Sequence, residues 1–361
     1  MTPQARLTID LDALAANLAV LRAQAPGAEA AAVVKADGYG LGAVPVARRL
    51  WAEGVRTFFV ARLSEGEALR AGLGPDRPAA IMVLDGLTPG SGPRIVAADL
   101  TPVLASLPQV GAAAAFAARL GRFLPCALHV DTGMNRQGLT LDEAQALALS
   151  PDRLRGLDVT LLVSHLGSAT EPDHPRNALQ LERFKAVRAL FPQVRASFSA
   201  SAGVFLGEAY RFDQVRCGVS LFGGGPEERP DARLRAVATF EAPILDIRNV
   251  APGEFLGYGS SVVAERPMRL AILGAGYADG LIRAAKGADA WFAGAPRRIV
   301  IVTMDLIGID LGEAQAGVGD MVELMGPHAL IDDLARAAGT VAHECLTRLN
   351  PRGPRIYLGE A

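Results

Sequence analysis
A chain of 361 residues, half of them hydrophobic, holds enough material for one large domain and a smaller one, each with its own core. The net charge of −2 and the lack of any long basic run argue against nucleic acid or a membrane surface as partner and point to a small molecule. Cys126, Cys217 and Cys345 are odd in number and far apart, which excludes a disulfide framework and a Cys-x-x-Cys metal site.

Arg6 to Ile9 form a short apolar run before a helix that starts near Asp12. Neither this beginning nor the alanine-rich stretches elsewhere read as a leader or a membrane span, so a cytoplasmic location without membrane contact is expected. Eight apolar runs follow: Ala31 to Val34, Thr57 to Ala61, Ala80 to Leu84, Thr101 to Ala105, Cys126 to Val130, Val159 to Ser164, Arg195 to Ser199 and Val215 to Val219. Helical signals separate them, such as Ser64 as N-cap ahead of Glu65 and Glu67, or Leu181, Phe184, Val187 and Phe191 at three- and four-residue steps. Strands alternating with helices pair in parallel. The class expected is α/β, a (β/α)8 TIM-type barrel over 9–230, with an open doubly wound sheet as the alternative. Beyond about residue 230 the texture changes. Ala236 to Glu241 and Ile244 to Ile247 read as half-buried strands among the breaks at Pro243, Pro252-Gly253 and Gly257, so a smaller β-rich domain is expected over 231–361.

In a TIM-type barrel function gathers at the C-terminal ends of the strands. Lys35 ends the first run, Asp131 the fifth, His165 the sixth, Ser199 and Ser201 the seventh and Gly218 the eighth. A lysine closing a buried strand loses hydration, its charged form is disfavoured, and it can form a Schiff base. The alternatives are a surface lysine, or a dinucleotide loop through Gly38, Gly40 and Gly42; in that loop the third glycine falls too early and no acidic partner follows. Arg136 suits a carboxylate, which its planar fork matches in two hydrogen bonds, and also suits a loop salt bridge. His165 alone reads equally as a strand-end histidine. Asp173 and His174 lack a third ligand at suitable spacing, so no metal site is expected.

Val34-Lys35-Ala36-Asp37-Gly38-Tyr39-Gly40-Leu41-Gly42 resembles the cofactor-lysine motif of the bacterial alanine racemases, pyridoxal-phosphate enzymes of fold type III. The resemblance continues in order along nearly the whole chain. Through it, Arg136 in His129-Val130-Asp131-Thr132-Gly133-Met134-Asn135-Arg136 is implied to bind the substrate carboxylate, and Met304 to help through its backbone. It places His165 beside the cofactor ring, Ser201 with the Gly218 and Val219 N–H groups at the phosphate, Tyr39 in the same loop as the lysine, and Arg216 against the pyridine nitrogen. Lys35 and Tyr277 are implied as the two proton carriers, one on each face of the substrate. A free phenol titrates near about 10, so the tyrosine needs a neighbour, and His165 backed by Arg216 is the candidate. Tyr258 is the competing tyrosine on composition. The family also implies that residues 1–8 join the C-terminal domain and that Tyr277 crosses into the partner's site of a homodimer.

Two positions depart from the family's pattern. Where many members carry a carbamylated lysine that steadies the substrate arginine, this chain has His129, so His129, a nearby carboxylate or a bound anion is expected to position Arg136. A tyrosine at the phosphate site of some members falls at Pro351, with Tyr357 as a possible substitute. The expected activity is a two-base interconversion of L- and D-alanine on pyridoxal 5'-phosphate, supplying D-alanine for peptidoglycan. The alternatives are a racemase of broader amino acid specificity and a non-catalytic pyridoxal-phosphate carrier.

Overall fold
Short runs of valine, alanine, leucine and phenylalanine, apolar at nearly every position, make strands buried on both faces, and such strands pair in parallel under a cover of helices. The structure, a computed structural model, describes residues 4–258, 262–350 and 352–360. After β1 (Arg6–Asp10) come β2 (Glu29–Val33), β3 (Thr57–Val60), β4 (Ala80–Val83), β5 (Thr101–Leu104), β6 (Leu124–His129), β7 (Leu157–Val163), β8 (Arg195–Ala200) and β9 (Gln214–Cys217). Strands β2 to β9 pair in parallel in sequence order and close into a barrel, with β2 paired to β9 from Glu29↔Gln214 to Ala32↔Cys217. Closure rules out the open doubly wound sheet. At the N-terminal end of the seam Glu29 accepts hydrogen bonds from Thr57 (2.6 Å), Arg195 (2.8 Å) and Gln214 (3.2 Å), tying β2, β3, β8 and β9 together.

The chain divides into two compact units, one made of Asn17–Gly38 and Gly42–Leu221, the other of the residues up to Ala16, Tyr39–Leu41 and the residues from Phe222 onward. In the second unit β1 lies in an eight-stranded sheet with β10 (Ala238–Val250), β11 (Met268–Leu273), β12 (Asp289–Phe292), β13 (Ala295–Val302), β14 (Ile307–Asp310), β15 (Met321–Met325) and β16 (Arg355–Leu358). β1 is antiparallel to β10 and parallel to β16. Two short helices, Ile331–Ala337 and Ala342–Arg348, follow β15.

Two local expectations are corrected. The segments on either side of Pro243 form one strand, β10, rather than two. Pro243 stands opposite Met321 of β15 and its carbonyl accepts the Gly274 N–H (2.9 Å), so the proline serves as acceptor where it lacks a donor. Ser64 does not cap its helix, which begins at Leu63; the Glu65 carboxylate instead accepts the N–H groups of Ala61 (2.7 Å) and Arg62 (3.0 Å).

The helix Pro175–Leu190 packs Phe184 flat on Phe198 of β8 with centroids 4.6 Å apart, and Phe212 meets Phe184 edge-on at 4.9 Å. Phe184 and Phe198 are fully buried. Phe198→Ala removes a ring from a packed barrel wall and is expected to cost about 3–5 kcal/mol, read as a lowered midpoint in equilibrium urea unfolding.

Candidate active site
Lys35 directly follows Val34, and the backbone then makes a left-handed turn: φ is 53° at Ala36, 54° at Asp37, 64° at Gly38 and 58° at Tyr39. Each non-glycine residue there costs of order 1–2 kcal/mol, so the turn has to be held from outside. Glu65 does part of this by accepting the Ala36 N–H (2.8 Å), and Asp37 accepts the Ala43 N–H (2.8 Å). The Lys35 amine is partly buried; burial and the nearby Arg136 lower its pKa, and Glu65 acts in the opposite sense.

Arg216 on β9 is buried, and it aims its guanidinium at the ends of the neighbouring strands. It donates to the Ser197 carbonyl and hydroxyl (2.8 Å each), the Ser164 carbonyl (2.5 Å) and the Phe198 carbonyl (3.3 Å). Burial and then Arg136 bring its pKa down to about 10, so it stays charged at neutral pH. Nδ1 of His165 lies 3.4 Å from the Arg216 Nη2. A permanent donor there makes Nδ1 the acceptor and puts the ring proton on Nε2. Burial, with Arg216, Arg136, His129 and Lys35 around it, holds the His165 pKa well below its ordinary value. His129 is pushed to about 4 by burial, Arg216 and Arg136.

The Arg136 loop is shaped by Asp131, whose carboxylate accepts the N–H groups of Gly133, Met134 and Asn135 (2.7 Å each). Arg176 donates to the Gly133 carbonyl (2.7 and 3.1 Å) and Arg183 to that of Thr132 (3.2 Å). Gln180 joins this loop to the next strand end, donating to the Thr132 hydroxyl (3.2 Å) and the His165 carbonyl (2.9 Å) and accepting the Gly167 N–H (2.8 Å). The Arg136 side chain is exposed and makes no hydrogen bond or ion pair among the described residues. The expectation that His129 or a carboxylate positions it is therefore corrected: the oxygens of Asp131 are taken by the loop backbone, and His129 and Arg136 only repel when charged.

Ser201 follows β8, and its hydroxyl accepts the N–H groups of Gly218 (2.9 Å) and Ser220 (3.3 Å), while the buried Ser220 hydroxyl has no partner. Backbone donors converging beside an orphaned hydroxyl and a group of cations fit a phosphate dianion. Val219 lies within the same turn. Lys35, Arg136, His165, Ser201, Arg216, Gly218 and Val219 thus gather at the C-terminal ends of the barrel strands.

The remaining predicted residues belong to the second unit. Tyr39 is buried against Phe222 (centroids 4.8 Å apart), and burial pushes its phenol pKa up. Tyr277 opens a short turn and Met304 lies beside it, since Tyr277 N–H donates to Thr303 (3.0 Å) and Ala278 N–H to Met304 (2.9 Å). Tyr357 donates its hydroxyl to the Leu41 carbonyl (2.9 Å), and Pro351 lies outside the described residues. Tyr258 is exposed. His174 is a helix cap, accepting the Arg176 N–H (3.1 Å). The sequence reading missed Glu65, Gln180 and Arg176, which act through backbone groups; Glu65 alone left a signal, as an acid in the first turn of its helix.

A closed barrel that carries a partly buried lysine, a serine accepting two backbone N–H groups and a fixed arginine at one end has the build of a barrel enzyme. Family models match in two consecutive segments, "Alanine racemase, N-terminal domain" over 9–226 and "Alanine racemase, C-terminal domain" over 237–357. An alanine racemase of Methylobacterium nodulans is 45% identical, with 98% of this chain and 96% of the relative covered. A catabolic alanine racemase of Agrobacterium fabrum is 41% identical over 98% of this chain and 92% of its own. The structure of Bartonella henselae alanine racemase with covalently bound pyridoxal phosphate superimposes with a TM-score of 0.92 at 34% identity, covering 98% of this chain and 99% of that one. The chain belongs to the alanine racemase family.

Between about pH 6.5 and 4 the unfolded chain binds a proton at His129 that the folded chain refuses, so stability rises with pH across that window and is lost on acidification. His129→Gln is expected to flatten part of this slope, with His165 keeping the rest; urea midpoints taken at several pH values within the window check it.

Proposed function
We propose that this protein interconverts L- and D-alanine with pyridoxal 5'-phosphate, Lys35 and Tyr277 being the two proton carriers. The observation that carries this reading is the partly buried lysine amine near Arg136 and His165, where burial and then Arg136 favour its neutral form and Glu65 opposes them. Ser201 and the Gly218 and Val219 N–H groups would hold the phosphate, and Lys35 would anchor the cofactor. When bound, the cofactor supplies an electron sink for the bond between Cα and its hydrogen. Arg136, unpaired among the described residues, takes the substrate carboxylate in its fork, and the Met304 backbone assists. The neutral Lys35 amine accepts the Cα proton on one face. Tyr277 serves the other face, and the Nε2–H of His165, oriented by Arg216, donates to its oxygen and steadies the phenolate. Arg216, which stays charged at neutral pH, would face the ring of the bound cofactor and oppose a positive charge there, favouring return of a proton to Cα over transamination.

The assembly is a homodimer in which Tyr277 of one subunit serves the site of the other. Support comes from exposed Phe255, Tyr258, Val263 and Leu306 and from a cavity of about 310 Å³ beside them, lined by Tyr258, Ile272, Ile301, Leu306 and Ile307, an apolar surface of the kind a subunit interface covers. The product would supply D-alanine for peptidoglycan in the cytoplasm. Alanine catabolism is the second reading, favoured by the likeness to the catabolic enzyme of A. fabrum.

Lys35→Ala is expected to abolish both the visible absorption of bound cofactor and the incorporation of deuterium at Cα of alanine in D2O. Lys35→Ala and Tyr277→Phe subunits, each inactive alone, are expected to recover about a quarter of wild-type activity when reassorted at random, since half of the dimers then carry one intact site of two. No recovery would mean that each site is built from a single chain.

A further inference from the structure
Tyr277 sits on a three-residue turn, Tyr277–Asp279, and Met304 on the loop after β13; backbone hydrogen bonds from the Tyr277 N–H to Thr303 (3.0 Å) and from the Ala278 N–H to Met304 (2.9 Å) join the two segments without the help of a sheet ladder. Both are exposed at the side chain, 36% for Tyr277 and 54% for Met304, so packing does little to fix them. Asp279, at the end of the turn, is by contrast 2% exposed. Burial raises the pKa of its carboxyl, and hydrogen bonds from Arg352 and the Gly276 N–H more than offset this, leaving it ionised and below its ordinary value.

Arg352 engages that carboxylate as a fork, Nε to Oδ1 and Nη2 to Oδ2 at 2.8 Å each. Its third arm, Nη1, reaches Asp305 Oδ1 at 2.7 Å, one residue beyond Met304. Asp279 Oδ2 also accepts the N–H of Gly276 (3.0 Å), the residue before Tyr277. Glycine is required on both sides of the turn: a Cβ at Gly276 would collide with the Met304 carbonyl, and one at Gly280, where φ is 100°, with that of Arg348. The turn is thus wedged between the Met304 loop and the segment that carries Arg352, and one guanidinium closes the wedge from both ends.

We infer that Arg352 is a positioning residue for the reaction: it locks the Tyr277 turn and the Met304 loop into one rigid piece, so that the proton carrier and the carboxylate-binding backbone are presented at a fixed separation. The inference rests on Tyr277 being a proton carrier. A lysine cannot replace this arginine, because a single ammonium does not span both oxygens of Asp279 and the Asp305 carboxylate in one plane. A tyrosine misplaced by about 1 Å loses rate by up to about 10²-fold.

The test follows α-hydrogen exchange in D2O separately from L-alanine and from D-alanine, using holoenzyme carrying Tyr277→Phe, Arg352→Ala or Arg352→Lys. Tyr277→Phe identifies the enantiomer whose α-hydrogen faces the tyrosine, as the one whose exchange is lost. Arg352→Ala is expected to slow exchange of that same enantiomer by about 10²-fold while exchange of the other, served by Lys35, stays within about 3-fold, and Arg352→Lys to give the same asymmetry in a chain that keeps the charge. Equal slowing of both enantiomers in Arg352→Lys, or no slowing in either variant, would overturn the inference and leave Tyr277 in its role. If Tyr277→Phe itself spares both exchanges, the two-base reading falls and the inference with it. Should Arg352→Ala not fold, Asp305→Ala, at an exposed carboxylate, removes only the acceptor of the arm to the Met304 loop and is expected to raise KM for alanine more than it lowers kcat; an unchanged KM would overturn the inference.

Discussion

A guanidinium that cannot lose its proton at neutral pH is buried where the barrel strands end, and the other ionisable groups of the first unit adjust to it. Arg216 is compensated by carbonyl and hydroxyl dipoles rather than by a carboxylate. Its charge therefore remains felt by its neighbours. His165 and His129 stay neutral through burial first and this charge second, and Arg136 adds a further positive charge that joins burial in lowering the pKa of Lys35. Such a site attracts anions strongly, and both groups it is proposed to receive, a phosphate and an amino acid carboxylate, are anions.

Carboxylates are not missing from this end of the barrel; they are engaged with the backbone. Glu65 holds the turn after Lys35, and Asp131 shapes the loop that carries Arg136. This arrangement separates two demands. Loops that present reactive side chains need fixed shapes, and acids satisfy their N–H groups. The presented side chains stay unpaired and free to meet a ligand. In the second unit Asp279 serves the turn of Tyr277 in the same manner, with Arg352 as its counter-ion.

The barrel was legible because parallel strands buried on both faces leave uninterrupted apolar runs, and because polar residues at run ends mark one face of the fold. The roles proposed for Lys35, Arg136 and Tyr277 come only from motifs, since the side chains alone fit ordinary loops equally well. Pro243 misled because a proline signals a break, whereas a strand whose carbonyl side does the pairing at that point tolerates it. Gln180, Arg176 and Arg352 left no signal: each acts on partners far away in sequence, 43 to 73 residues distant for the two arginines. No local period encodes such contacts. The departure at His129 was visible, but its outcome depended on where neighbouring charges stand in space.

β1 is the first strand of the chain, yet its neighbours in the sheet are β10 and β16, the latter ending at Leu358. β10 is made only after all eight barrel strands, so Leu7 and Ile9, fully buried in the finished protein, stay without a sheet while the whole barrel is made. The barrel strands pair in order of emergence and need not wait. The sheet of the second unit is complete only once β16 has been made. A nascent chain therefore carries β1 as an open apolar strand at least until β10 emerges, and such a strand stands to gain from a chaperone that binds extended apolar peptide.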